Sequence, residues 1–186
     1  MLAAGLARRM GGGKLLLVLH GKPIVRWSVE ALRPHVDDLV VVTGGGGEAV
    51  RAALAGLAVR FVENPHPEAG QGTSIAVGAA VLRQQTEATI IALGDQPRVP
   101  ADVVPALLAM WQQTGQAIVA PVYRGVQVTP VLFAADLFPE LVALTGDAGA
   151  RAIVGARPER VARVAFDHEM PPDVDTPEDF ARLHVE

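Results

Sequence analysis

The chain has 186 residues, 50% of them hydrophobic and 19% charged, with a formal net charge of -4 and no cysteine. That is enough apolar material for one globular domain with a sizeable core, spanning 1–186, and too little for two. The acidic balance, without a Lys/Arg run, argues against a nucleic-acid surface, and the lack of thiols excludes a disulfide framework, a thiolate metal site and a cysteine nucleophile. In chain order, residues 1–4 read as the end of a first strand, short for a buried parallel strand of ~5–6 residues, so apolar residues added upstream should raise the melting temperature. A glycine-rich loop follows. The apolar stretch 15–21 should pack beneath it, and Pro23 suits the first turn of a helix over 23–32. His20 and Trp27 read as packing residues.

LVVVT (39–43) is a buried strand, and the four glycines after it read as a plain turn into the helix EAVRAALAGL (48–57). A strand over 59–64 ends in PHPEAGQGTS, where Thr73 or Ser74 can cap the helix SIAVGAAVLRQQ (74–85). TIIALG (89–94) is a second strongly apolar strand, a helix with Trp111 on its apolar face spans 100–115, and 117–123 is a further strand. A helix over 136–144 precedes LTGDAGAR, and 160–166 reads as the last strand. Thr176 with Pro177 then marks a helix start, with Asp179 reaching back as in a capping box. Strands alternating with helices argue for a mostly parallel sheet covered on both faces.

Three stretches carry chemistry. LAAGLARRMGGGK (2–14) places Arg8, Arg9 and Lys14 among Gly5, Gly11, Gly12 and Gly13, so backbone N–H groups could cradle phosphate while the cations supply charge. A solvated basic segment is the other reading, since the loop is neither GxGxxG nor GxxxxGK[ST]. Asp95 ends the strand 89–94, and ligands of open α/β sheets gather outside the carboxyl ends of strands; capping the Gln96–Pro97 turn is the alternative. Asp173 and Asp175 flank one residue, so in extended chain both point the same way. The five histidines lack HExxH or another close metal spacing, which argues against zinc or iron.

LAAGLARRMGGGK closely resembles the signature LAAGxSxRMGxxK of the MobA-like nucleotidyltransferases, and its AAG looks most like the molybdenum-cofactor cytidylyltransferase branch. Matches recur in order at GQGTS (70–74), GDQP (94–97), LTGDAGAR (144–151) and DVDTPED (173–179), so the resemblance covers nearly the whole chain. Ala7 departs from the usual serine or glycine. At RGVQVTPVLF (124–133), Val128 and Thr129 stand where relatives commonly have Gly-His before the proline; if that histidine holds the acceptor in relatives, the acceptor side is altered here.

The resemblance implies a three-layer α/β/α, Rossmann-like nucleotidyltransferase fold. It also implies transfer of CMP from CTP to the phosphate of molybdenum-loaded molybdopterin, with release of pyrophosphate. By resemblance Leu2, Ala3, Ala4, Gly5, Arg9, Gly11, Lys14, Gln71, Gly72, Thr73 and Ser74 bind the nucleotide. Arg9, Lys14 and Asp95 are catalytic, and Asp95 with Asp175 holds Mg²⁺, a hard cation that needs only one or two carboxylates besides water and phosphate oxygens. Asp147 and Arg151 would lie on the acceptor side or pair with each other. The implied partners are CTP or another NTP, a molybdopterin-type acceptor and a molybdenum hydroxylase. A guanylyltransferase, a sugar- or polyol-phosphate cytidylyltransferase and a non-catalytic accessory protein for hydroxylase maturation are the alternatives. With no leader pattern and no apolar stretch near ~20 residues, neither membrane nor nucleic acid is an expected partner, and the cytoplasm is the expected location.

Overall fold

The computed structural model describes residues 1–5, 13–82, 86–147 and 149–185. The chain runs β1 (Leu2–Ala3), a 3-10 turn (Lys14–Leu16), a small hairpin of β2 (Val18–Leu19) and β3 (Lys22–Pro23), α1 (Ile24–Leu32), β4 (Val40–Thr43), α2 (Glu48–Ala53) and β5 (Arg60–Glu63). Then come α3 (Gln71–Leu82), β6 (Ala88–Ile91), α4 (Val103–Thr114), β7 (Ile118–Tyr123), β8 (Val126–Gln127), β9 (Val131–Ala134), α5 (Phe138–Val142), α6 (Arg151–Ala156), β10 (Val161–Phe166) and α7 (Pro177–Val185). The sheet order is β5–β4–β1, then β6–β9–β7–β10, the two parts joined by a parallel bridge between Leu2 and Leu93. The Leu2 N–H donates to the Ala92 carbonyl at 2.8 Å, and the Gly94 N–H donates to the Leu2 carbonyl at 2.9 Å. These two bonds set the end of β1 beside Gly94 and Asp95.

Helices cover both faces, giving the expected three layers. On one face α3, α5 and α6 pack Ile75, Phe138, Leu141 and Ile153 against Ile91, Ile118 and Phe133. On the other, Val25 and Val29 of α1, Val50 of α2 and Val104 of α4 meet Ala3, Val41 and Ala92. Val41 and Val42 are both fully buried, one toward each face, which is why LVVVT is apolar throughout rather than alternating. Each such side chain contributes roughly 1.5–3 kcal/mol through burial.

Five local features differ from the sequence reading. Pro23 stays extended (ψ 144°) and pairs in the small hairpin, so α1 begins one residue later. Helix α2 stops at Ala53, because Gly56 turns the chain with φ 82°. Helix α3 begins at Gln71, which puts Thr73 and Ser74 inside its first turn rather than at its cap. The helix expected over 136–144 divides into a 3-10 turn (Ala135–Leu137) and α5. A tight reversal at Arg124 and Gly125, with φ 47° and 87°, folds β8 back on β7, and β9 then runs antiparallel between β6 and β7. It is the one antiparallel strand of the seven that order the sheet among the described residues, so the sheet is mostly parallel.

Candidate functional site

Charged side chains converge at the carboxyl edge of the sheet, where ligands of parallel α/β folds bind. Lys14, in the turn after the glycine-rich loop, directs its Nζ to Asp95 Oδ2 at 2.6 Å and to Asp175 Oδ1 at 2.8 Å. These partners lie 81 and 161 residues away in sequence. Backbone contacts hold each carboxylate. The Ser28 hydroxyl of α1 donates to the Gly94 carbonyl at 3.0 Å, fixing the residue before Asp95. The Val174 N–H donates to the Asp95 carbonyl at 3.1 Å, and the fully buried Val174 side chain anchors the loop between β10 and α7 in a small cluster with Leu19, Ile24 and Leu183. Just beyond, the Asp179 N–H donates to Thr176 Oγ1 while the Asp175 and Thr176 N–H groups donate to Asp179 Oδ2, a capping box that fixes where α7 starts.

The Lys14 side chain is only 12% exposed and Asp95 16%, so their charges meet with little water between them, whereas Asp175 is half exposed. Burial would lower the Lys14 pKa, but Asp95 and Asp175 outweigh it and hold the ammonium above its ordinary value. Asp95 Oδ1 is buried and has no hydrogen-bond partner among the described residues. A third carboxylate stands close by: Gln96 Nε2 donates to Asp173 Oδ1 at 2.8 Å, and the Thr129 hydroxyl donates to Gln96 Oε1 at 2.9 Å. Partial burial, then the Asp95 charge, push the Asp173 pKa up.

From this charged cluster a cleft of about 350 Å³ runs across the ends of β1 and α3. Its floor is Leu2, Ala3, Ala4 and Gly5; Lys14 and Asp95 form one end, and Glu68, Gln71 and Asp147 line it elsewhere. The α3 side is built from backbone pressed on backbone. The Gly72 N–H donates to the Gly146 carbonyl at 2.8 Å, and a Cβ on Gly72 would lie 2.7 Å from the Thr145 carbonyl oxygen. Gly70, at φ 105°, would place a Cβ 2.4 Å from the Gly146 carbonyl carbon. Asn64 at the end of β5 donates through Nδ2 to Thr73 Oγ1 and Ser74 Oγ, tying the first turn of α3 to the sheet. A larger cavity, about 530 Å³, opens at the amino edge of the sheet, lined by Met1, Leu39, Val40 and Ile90 among others. It lies away from Lys14, Asp95 and Asp175, whereas the smaller cleft has Lys14 and Asp95 in its lining.

The structure thus brings Leu2, Ala3, Ala4, Gly5, Lys14, Gln71, Ser74, Asp95 and Asp147 into one cleft, with Asp175 reaching it through Lys14. Gly72 and Thr73 support its wall without lining it. Asp147, expected on the acceptor side, shares the cleft with Gln71, because residues 145–147 pack over the start of α3. Arg151 is exposed at the start of α6 and does not line the cleft. Arg9 and Gly11 lie outside the described residues. Sequence reasoning gave Ser28 and Gln96 no place in the site, and marked Thr129 only as standing, with Val128, where relatives have Gly-His. Gln96 sits in the quoted GDQP, so the signal was present; a serine inside an apolar helix carries none.

Two carboxylates, one with an orphaned oxygen, suit a hard divalent cation that completes its shell from water and phosphate. No larger cage of acidic or histidine side chains occurs among the described residues. A cleft lined by Gly5 and Lys14, with the carboxylates at one end, has room for a polyphosphate and a metal. Comparisons with known proteins place the chain among nucleotidyltransferases. The chain is 32% identical to a molybdenum cofactor guanylyltransferase of Cereibacter sphaeroides, over 98% of this chain and 92% of that one. It is 26% identical to the molybdenum cofactor cytidylyltransferase of Escherichia coli, over 96% and 90%. Rv0371C of Mycobacterium tuberculosis, solved in complex with manganese, superposes with a TM-score of 0.81 at 29% identity, over 99% of this chain and 95% of that one. The model of the MobA-like NTP transferase domain matches residues 1–161, and the chain belongs to that nucleotidyltransferase family.

Proposed function

We propose that the cleft transfers CMP from CTP to the terminal phosphate of a molybdenum-loaded molybdopterin, in a reaction dependent on Mg²⁺. An oxygen of the acceptor phosphate forms a bond to the α-phosphorus, the bond from that phosphorus to the bridging oxygen breaks, and pyrophosphate leaves. No electrons are transferred and no covalent enzyme intermediate forms. Most of the acceleration would come from positioning and from charge placed where it develops. The Leu2–Gly5 backbone and Gln71 hold the nucleoside half, Lys14 pairs with the triphosphate, and Asp95 and Asp175 hold the metal. When bound, Mg²⁺ neutralises phosphate oxygens and orients the triphosphate. Arg9 and Gly11 join the triphosphate contacts on the strength of the signature, and the product would pass to a molybdenum hydroxylase.

The observation that carries this reading is the meeting of Lys14, Asp95 and Asp175 at the mouth of the cleft. The AAG of the first motif and GQGTS favour CTP. The relative named a guanylyltransferase, at higher identity than the one named a cytidylyltransferase, favours GTP as the second reading. Calorimetric titration in Mg²⁺ decides between them: tighter binding of CTP is expected, and GTP binding about ten times tighter would move the protein to guanylyl transfer.

A further inference from the structure

We infer that Lys14 is the resident counter-ion of the Asp95–Asp175 pair and gives up that place to the metal only when a triphosphate is present to receive its ammonium. Metal and nucleotide then bind as a unit, not independently. The inference rests on reading the two aspartates as the metal-binding pair.

A single nitrogen lies within 2.8 Å of an oxygen from each carboxylate. Whether a dication takes those oxygens or enters at Asp95 Oδ1, it stands within a few ångströms of the ammonium, where little water remains to screen the repulsion, and that repulsion drives Lys14 out. Its stem is long and flexible, so the movement itself is easy; what matters is where the charge goes. The other acidic residues lining the cleft are Glu68 and Asp147, which lie beside the α3 end with Gln71. Withdrawn from both carboxylates into an empty cleft, the ammonium gives up two ion pairs, at 2.6 and 2.8 Å. A bound triphosphate removes that cost by offering phosphate oxygens to the ammonium inside the cleft. Asp173, held by Gln96, adds a third carboxylate at this end of the cleft. The coupling works both ways: metal should tighten nucleotide binding by the same factor as nucleotide tightens metal binding.

Two variants remove the competitor without removing either carboxylate: Lys14→Met, close in length, and Lys14→Gln, which keeps hydrogen bonding. Binding of Mn²⁺ alone, read from loss of the free-ion electron paramagnetic resonance signal, should be at least about tenfold tighter in both variants than in the wild type. Calorimetry supplies the second readout. Mn²⁺ should tighten CTP binding by about tenfold or more in the wild type, and that factor should shrink toward one in Lys14→Met. Asp95→Asn separates the inference from the reading beneath it. If Asp95→Asn abolishes Mn²⁺ binding while the Lys14 variants bind it no more tightly than the wild type, the exchange is overturned and the two-aspartate site stands. Mn²⁺ binding indifferent to Asp95→Asn overturns both. Should one Lys14 variant fail to fold, equal tightening of CTP by Mn²⁺ in the wild type and the other variant overturns the exchange by itself.

Discussion

The two sides of the cleft are built by different means. At the charged end, Lys14, Asp95 and Asp175 come from distant parts of the chain and meet through two side-chain ion pairs. At the Gln71 end, the GQGTS backbone lies directly against residues 145 and 146, with no room for a methyl group. The difference teaches where function and stability can be separated. Side chains at the charged end project from a frame that other contacts hold, so they can change without collapse. The α3 wall is the frame, and altering it alters shape.

The largest effect expected from this contrast falls on the carboxylates. Asp95→Asn and Asp175→Asn keep size and remove charge, so each should lower turnover by at least roughly a hundredfold while leaving the thermal unfolding curve nearly in place. A large drop in melting temperature in either would show that the charged end is part of the frame after all. Next comes the wall. Gly72→Ala forces a Cβ to within 2.7 Å of the Thr145 carbonyl oxygen and should cost about 1–3 kcal/mol in urea unfolding, with weaker nucleotide binding. Gly45→Ala, where a Cβ meets nothing within 4 Å, should stay within about 0.5 kcal/mol of the wild type. If the two alanine variants matched, the wall would be looser than its geometry implies.

Thr176→Ala tests the join between the ends, because the capping box sets the start of α7 immediately after Asp175. Loss of the Asp179 N–H partner should cost about 1 kcal/mol of stability and reduce activity modestly, measured side by side on the same preparation. The smallest effect concerns Asp173. Its pKa is raised in the folded chain, so the unfolded chain releases the proton first as pH rises, and the ionised form then costs stability. Asp173→Asn should therefore melt at a slightly higher temperature than the wild type at neutral pH, with the difference vanishing in acid below both pKa values. A variant less stable at neutral pH would mean that the carboxylate is held by contacts stronger than its repulsion from Asp95.

Much of the frame was legible before any coordinates. Continuous apolar runs at 39–43, 89–94 and 117–123 can only be strands buried on both faces, and glycine- or acid-bearing turns at their carboxyl ends mark the ligand edge. The cap at Thr176 was equally plain. The direction of β9 was not, because the Arg124–Gly125 reversal depends on a positive φ at arginine that composition does not signal. The start of α3 was misread for a related reason: Thr73 and Ser74 look like caps, yet the Thr73 hydroxyl accepts from Asn64, 9 residues upstream, within a turn begun by Gly70. For Lys14 the residue was identified and its partners were not. Propensity and spacing say nothing about an ion pair closed across 161 residues, and the same holds for the Ser28 contact with Gly94.

Transfer of a nucleotidyl group, as against binding alone, is what most needs measuring in this cleft. Incubating the full chain with α-labelled CTP, Mg²⁺ and molybdenum-loaded molybdopterin, then following label and pyrophosphate together by mass spectrometry and an enzyme-coupled assay, tests it directly. The expected result is a labelled pterin dinucleotide formed one for one with pyrophosphate, dependent on Mg²⁺ and suppressed in Asp95→Asn. Tight binding of both nucleotide and pterin with no pyrophosphate released from CTP or GTP would contradict it and make the protein a carrier of its cofactor.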